Sequence, residues 1–165
     1  MVRNSWKASF VVLVIFLLTA TFSWAKAESN PADEAAIKKL VASFSDCFNS
    51  KDAHACALLY TEDGDFTSVR GDRDHGRPAV EKHYEKVFST FLKNAHRTDT
   101  VRSVQFLSRR IACVDSDFEM TGATAPNATE AARPVRKGLL TWIVTKDKGG
   151  EWHIAIFHEL DYPGR

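Results

Sequence analysis

Apolar positions recur along this chain with two different periods, and the change from one to the other divides it. Between Asp33 and Phe48, Ile37, Leu40, Val41, Phe44, Cys47 and Phe48 return at three- and four-residue steps, the spacing of one helix face. Asn49-Ser50-Lys51-Asp52 interrupts that face, and Asp52 is placed to cap a short second helix through Ala53 to Tyr60 by accepting free backbone N–H groups. Glu62-Asp63-Gly64-Asp65 reads as a turn, Phe66 to Val69 as a short strand, and Arg70 to Gly76 as a polar loop. Arg77-Pro78 then opens a third helix, proline being tolerated in a first turn, with Val80, Tyr84, Val87, Phe88, Phe91 and Leu92 on its apolar side. Beyond it the period falls to two: Val104 and Phe106, then Ala112, Val114, Phe118 and Met120, then Leu139 to Val144, and finally Trp152 to Leu160. Breaks at Leu107 to Arg110, Gly122 to Glu130 and Asp147 to Gly150 make these strands successive antiparallel neighbours. The expected fold is α+β, a curved antiparallel sheet wrapped as a cone around three N-terminal helices.

The first residues behave differently. Arg3 and Lys7 precede an uncharged apolar run from Ala8 to Ala20, and Ala25 and Ala27 supply a small-x-small cleavage pattern. That order is the layout of a secretory signal peptide, so residues 1–27 are expected to be removed, 28–32 to form a loose leader and 33–165 the domain. An uncleaved anchor is the competing reading, but the uninterrupted core is shorter than the about 20 residues a spanning helix needs. The destination is then the periplasm or the exterior.

Composition narrows the classes of partner. The chain has 22 basic and 21 acidic residues, and cleavage would remove Arg3, Lys7 and Lys26 but no acid. A slightly acidic domain without clustered Lys and Arg argues against nucleic acid. Three cysteines, Cys47, Cys56 and Cys113, are an odd count and no disulfide framework. They read as buried free thiols, with a Cys47–Cys56 bridge left open because both fall on neighbouring helices. Zinc-type Cys/His pairing and a Gly-rich G-x-G-x-x-G turn are both missing from the sequence, so neither a metal nor a nucleotide cofactor is expected.

Several local patterns occur together: Phe44 to Asp52 (F-S-D-C-F-N-S-K-D), Leu59 to Phe66 (L-Y-T-E-D-G-D-F), Gly76 to Val80 (G-R-P-A-V) and Gly150 to His158 (G-E-W-H-I-A-I-F-H). In this order they resemble the SnoaL-like branch of the nuclear-transport-factor-2-like superfamily, the cone fold of polyketide cyclases, ketosteroid isomerase and scytalone dehydratase. The nearest likeness within it is to small exported proteins of unknown function, whose relatives often carry an oxidoreductase label. The resemblance implies a conical pocket and a homodimer formed through the outer sheet face. It does not carry over the isomerase chemistry: Phe44 stands where the isomerase has its tyrosine, Ser68 where it has its base, and Leu140 and Thr141 near its late-strand aspartate.

Among residues able to move protons, His83 and Tyr84 on the third helix and His158 on the last strand are the candidates. If His83 and His158 both face inward they form an acid/base pair; the plainer alternative puts His83 at the rim and His158 outside. His54, His75, His96 and His153 are expected at the surface. Asp65 and Asp74 stand nearest the expected mouth with Arg70, Arg73 and Arg77, and read more simply as turn and loop charges. Asp115, Asp117 and Glu119 share one strand face, expected to be the wet one. Asn127-Ala128-Thr129 has the form of a glycosylation sequon. A cone lined by Phe44, Tyr60, Ser68, His83, Tyr84 and Trp142 suits a small hydrophobic or aromatic molecule. The two functional expectations are therefore a binder of such a molecule and a cofactor-independent acid/base enzyme of isomerase, cyclase or dehydratase type, with a ligand-free dimerisation module as a third.

Overall fold

In the computed structural model, residues 30–125 and 134–162 are described; the apolar run within residues 1–27 and the sequon at Asn127 lie outside them. Helix α1 (Pro31–Ser50) starts where the Asn30 side chain accepts a hydrogen bond from the Ala32 N–H at 3.0 Å, with Pro31 in the first turn and Asp33 and Glu34 beside the positive end of the helix. Its buried residues are the six that the periodicity picks out. Lys51, in the left-handed region at φ 61°, closes it. Helix α2 (Ala53–Leu58) follows, capped by the Asp52 carboxylate, which accepts the Ala55 N–H at 2.9 Å. Among the described residues no helix is long and apolar enough to cross a membrane.

Cys47 and Cys56 form a disulfide, which corrects the expectation of free thiols. The short link folds α2 straight back on α1, and both cysteines lie on buried faces, so the two Cα atoms come to 5.3 Å, well inside bonding range. Only Cys113, half-buried, is free.

Strand β1 (Tyr60–Thr67) absorbs the acidic run expected to be a turn. Glu62 and Asp63 stand on its wet side, and the register slips between Tyr60 and Asp65. Strand β2 (Arg73–His75) lies in what reads as loop and pairs with β1. Helix α3 (Arg77–Ser89) is shorter than expected: it follows Gly76 at φ 80°, ends at Ser89, and leaves Leu92 and Ala95 buried in the turns beyond. Strands β3 (His96–Ser108), β4 (Ile111–Thr121), β5 (Val135–Lys146) and β6 (Trp152–Asp161) complete a six-stranded sheet of order β2-β1-β6-β5-β4-β3. The last four strands run antiparallel in sequence order as expected, and β1 joins β6 in parallel. Glycine is required at Gly138 in β5, because a Cβ there would stand 2.0 Å from the Leu160 carbonyl oxygen and 2.5 Å from the Phe118 ring. The sheet is curved, not closed into a barrel, and holds the three helices.

The hollow of the cone is filled with rings. Phe44 of α1 meets Trp142 edge-on at 5.1 Å and Phe157 at 5.2 Å, and Trp142 meets Phe157 edge-on at 4.7 Å, the geometry aromatic quadrupoles prefer. Trp142 is wholly buried, and its Nε1–H donates to Ser116 Oγ at 2.9 Å, so its one polar atom is satisfied.

Candidate functional site

At one end of the sheet the packing is incomplete. The loop after β1, the end of α3 and its following turn, the starts of β3 and β5 and the ends of β4 and β6 surround a cavity of about 30 Å³. That is room for no more than about two waters, so the body of any ligand larger than that stands in the opening. Apolar walls come from Phe66, Val87, Phe91, Leu92 and Met120, and polar atoms from Ser68, His83, Tyr84, Arg97 and Glu159.

Three of the six residues expected to line a pocket do so: Ser68, His83 and Tyr84. Phe44, Tyr60 and Trp142 lie deeper, packed against other side chains and no more than 1 % exposed. Ser68 is committed to its own turn, its Oγ accepting from the Arg70 and Asp72 N–H groups at 3.2 Å each. Tyr84 shares a 3.2 Å hydroxyl contact with Tyr60, and burial raises both phenols above their ordinary range, leaving them neutral hydrogen-bonding groups.

His83 projects from α3 with Nδ1 2.9 Å from Asp74 Oδ2, at 13 % and 27 % side-chain exposure. The approach is close but poorly aligned, so Asp74 Oδ2 lies beside the imidazole without a directed hydrogen bond. Burial pulls the imidazole below its ordinary value, and Asp74 opposes that pull. The Phe66 ring lies 4.6 Å from the imidazole. A neutral imidazole beside a carboxylate, at the edge of an apolar cavity, is equipped to accept a proton.

His158 is elsewhere. Period two along β6 turns Phe157 inward, His158 outward and Glu159 inward, so His158 is exposed and the two histidines are not brought together. His54 contacts Glu81 at 3.0 Å, His75 contacts Asp65 at 2.7 Å and His153 contacts Asp147 at 3.5 Å, all outside the cavity. Arg77 donates to the Tyr60 carbonyl at 2.7 Å, a structural role, while Arg70 lies over the Phe91 ring at 4.9 Å, and Arg73 is exposed. On the outer sheet face Asp115 accepts from Thr141 at 3.0 Å, Asp117 pairs with Arg102, and Glu119 pairs with Lys137 at 2.7 Å.

A buried ion cluster beside the cavity is not among the residues that the sequence pattern singled out. Arg97, at the start of β3, has a side chain only 2 % exposed; its Nε meets Asp99 Oδ1 at 2.9 Å and its Nη1 meets Glu159 Oε1 at 2.6 Å. Burial works against that charge, but Asp99 and Glu159 outweigh it and hold the guanidinium above its ordinary value. The Phe44, Phe48 and Phe118 rings face it at 5.3, 5.4 and 4.5 Å. Beside it Arg136 makes a two-pronged pair with Asp161. Strict alternation back from Val104 puts Arg97 on the outer side; the register slip between Val101 and Ser103 turns it inward, whereas the same period counted from Phe157 along β6 does put Glu159 inward.

For a metal, Asp147, Glu151 and His153 have ligand atoms within 4.8 Å of one another on the exposed β5–β6 turn. Asp147 is already engaged there: it accepts the Glu151 N–H at 2.9 Å, and that bond leads the effects that lower its pKa. These contacts account for the cluster as a turn.

Solved structures with the same cone include a cystatin-like domain of unknown function from Nostoc punctiforme (23 % identity, 82 % of this chain and 81 % of that one, TM-score 0.70). Others are an uncharacterised cystatin-like protein from Caulobacter vibrioides (17 %, 79 % and 89 %, 0.71) and a ketosteroid isomerase-like protein from Erwinia carotovora (19 %, 82 % and 100 %, 0.66). At these identities the likeness is one of fold. No curated protein matches the sequence. The SnoaL-like domain family matches residues 30–158, from the cap of α1 to the outward-facing histidine of β6, and the chain belongs to that family.

Proposed function

We propose that this is an exported SnoaL-like domain that binds a small, mainly apolar molecule at the mouth of its cone and pairs with a second copy through its outer sheet face. The observation that carries the binding reading is the mouth cavity: a wall of Phe66, Val87, Phe91, Leu92 and Met120 interrupted by a few polar groups, the make-up of small-molecule sites. The cone beneath is filled by Phe44, Trp142 and Phe157, so the ligand is held between the loops. Export rests on the N-terminal apolar run. Pairing rests on exposed apolar side chains at both ends of the outer face, Val135 and Leu160 at one and Leu107 and Ile111 at the other.

Native mass spectrometry of the mature protein, taken gently from the secreted or periplasmic fraction of its own host, tests this reading. A recurring compound at one per domain, released on denaturation, is the expected result. A dimer with nothing bound, together with no response of the mouth residues to added small apolar molecules, overturns it in favour of a ligand-free dimerisation module.

The His83–Asp74 contact favours a second reading, a cofactor-independent acid/base enzyme of isomerase, cyclase or dehydratase type in which His83 carries the proton. One structural neighbour is described as ketosteroid isomerase-like, yet the base here comes from α3, not from β1. Once a substrate is known, His83→Phe abolishes turnover on this reading; unchanged turnover removes it.

A further inference from the structure

Arg97 is more than a buried ion pair. Its Nε and Nη1 are engaged by Asp99 and Glu159, but Nη2 is buried and has no hydrogen-bond partner among the described residues, on a side chain that lines the mouth cavity. Buried donors are almost always satisfied, by protein or by an ordered molecule, so this N–H calls for an acceptor from the cavity.

The surrounding charge says which kind. One guanidinium faces two carboxylates, so the cluster carries an excess negative charge. The neighbouring Arg136–Asp161 pair cancels itself, Arg70 is matched by Asp72 at 3.5 Å, and Asp74 stands beside the imidazole. A further anion would meet Glu159 across a short distance in a site with little water, where like charges repel strongly. A hydrocarbon would leave Nη2 unpaired.

We propose that Arg97 Nη2 is the specificity determinant of the mouth, selecting a ligand with a neutral acceptor oxygen, such as a ketone or amide carbonyl, and rejecting carboxylates and phosphates. This rests on the reading that the mouth takes a small ligand, and deepens it by naming the ligand's polar group.

Three probes of similar shape separate the cases: cyclopentanone, cyclopentanecarboxylate and methylenecyclopentane, each titrated into isotope-labelled full-length mature protein at pH 7 and followed by NMR at the amides of Phe66, His83 and Met120 and at the Arg97 guanidinium. Cyclopentanone is expected to bind at least 10-fold more tightly than either of the others and to shift the Arg97 Nη signals. Equal binding of the hydrocarbon, equal or tighter binding of the carboxylate, or an unmoved guanidinium overturns the inference while leaving the binding reading in place. Silence from all three probes overturns both. Glu159→Gln, which removes one carboxylate charge with little change of shape, is expected to raise the carboxylate-to-ketone affinity ratio at least 10-fold; an unchanged ratio defeats the charge argument.

Discussion

The floor of the cone and its mouth are built on the same strands and the same two long helices, yet they solve burial in opposite ways. At the floor, Phe44, Trp142 and Phe157 fill space, and the single indole N–H finds Ser116. At the mouth, Arg97 is just as buried, but charge neutralisation by Asp99 and Glu159 keeps it there, and one nitrogen remains unanswered. The difference teaches that depth in a fold does not by itself separate packing from chemistry. What separates them is whether each buried polar atom is accounted for.

Removing a ring from the floor is the largest perturbation. Trp142→Ala is expected to lower unfolding stability by about 4 kcal/mol in denaturant titration, because the transfer energy of the indole and the cavity it leaves add together, and Ser116 loses its partner besides. At the mouth, Arg97→Met is expected to lower stability by about 3 kcal/mol by stranding two carboxylates. The value sits low in the usual range because Glu159, at 10 % side-chain exposure, is less buried than Asp99. Here the two regions must part: replacing Arg97, Asp99 and Glu159 together by apolar residues of similar size recovers most of the loss, whereas no second change outside the floor rescues Trp142→Ala. A triple variant as unstable as Arg97→Met alone would break the comparison.

The disulfide bears on both regions, since Cys47 lies between Phe44 of the floor and Phe48 of the cavity wall. Replacing Cys47 and Cys56 by alanine is expected to cost about 2.5 kcal/mol, the chain-entropy value for so short a loop, read as a lower melting temperature that added reductant does not lower further.

His83 gives the smallest effect. Its folded pKa is depressed by burial, so below the ordinary value of about 6.5 the unfolded chain binds a proton that the native state resists. The stability tied to neutral His83 is therefore complete above that value and is lost as pH falls from it towards the folded pKa. Denaturant titrations of wild type and His83→Gln across pH 5 to 8 should show the wild type losing its advantage on the acid side. A difference that does not change with pH would mean that the imidazole titrates as it does in water.

Much of the scaffold was legible in the sequence because it depends on local periodicity. The buried face of α1 follows from spacing alone, and so does the inward set of β4, Ala112, Val114, Phe118 and Met120. What escaped depends on contacts between distant residues. Strand β2 forms only because β1 offers an edge to Arg73–His75, whose own residues are polar. The disulfide depends on how tightly α2 returns to α1. Of the candidate site, His83 and Tyr84 could be placed from the apolar face of α3, but the extent to which rings fill the cone could not, since volume is a sum over many elements. Arg97 was passed over because a charge at the start of a strand ordinarily points to water, and its two carboxylates come from different strands.

One small contact at the start of β3 has a consequence for how the molecule behaves in a crowd. β3 is a thirteen-residue strand at the edge of the described sheet, the kind of edge along which one chain adds to another. The Asn49 side chain, reaching across from α1, donates to the Arg97 carbonyl and accepts the Arg97 N–H, both at 2.8 Å. A single amide thus imitates one residue of a seventh strand and occupies the first docking position of the edge. Further along, register slips between Val101 and Ser103 and between Phe106 and Ser108 interrupt the ladder. A foreign strand arriving at this edge finds its start taken and its regular stretches short, which favours a chain that stays dispersed at high local concentration.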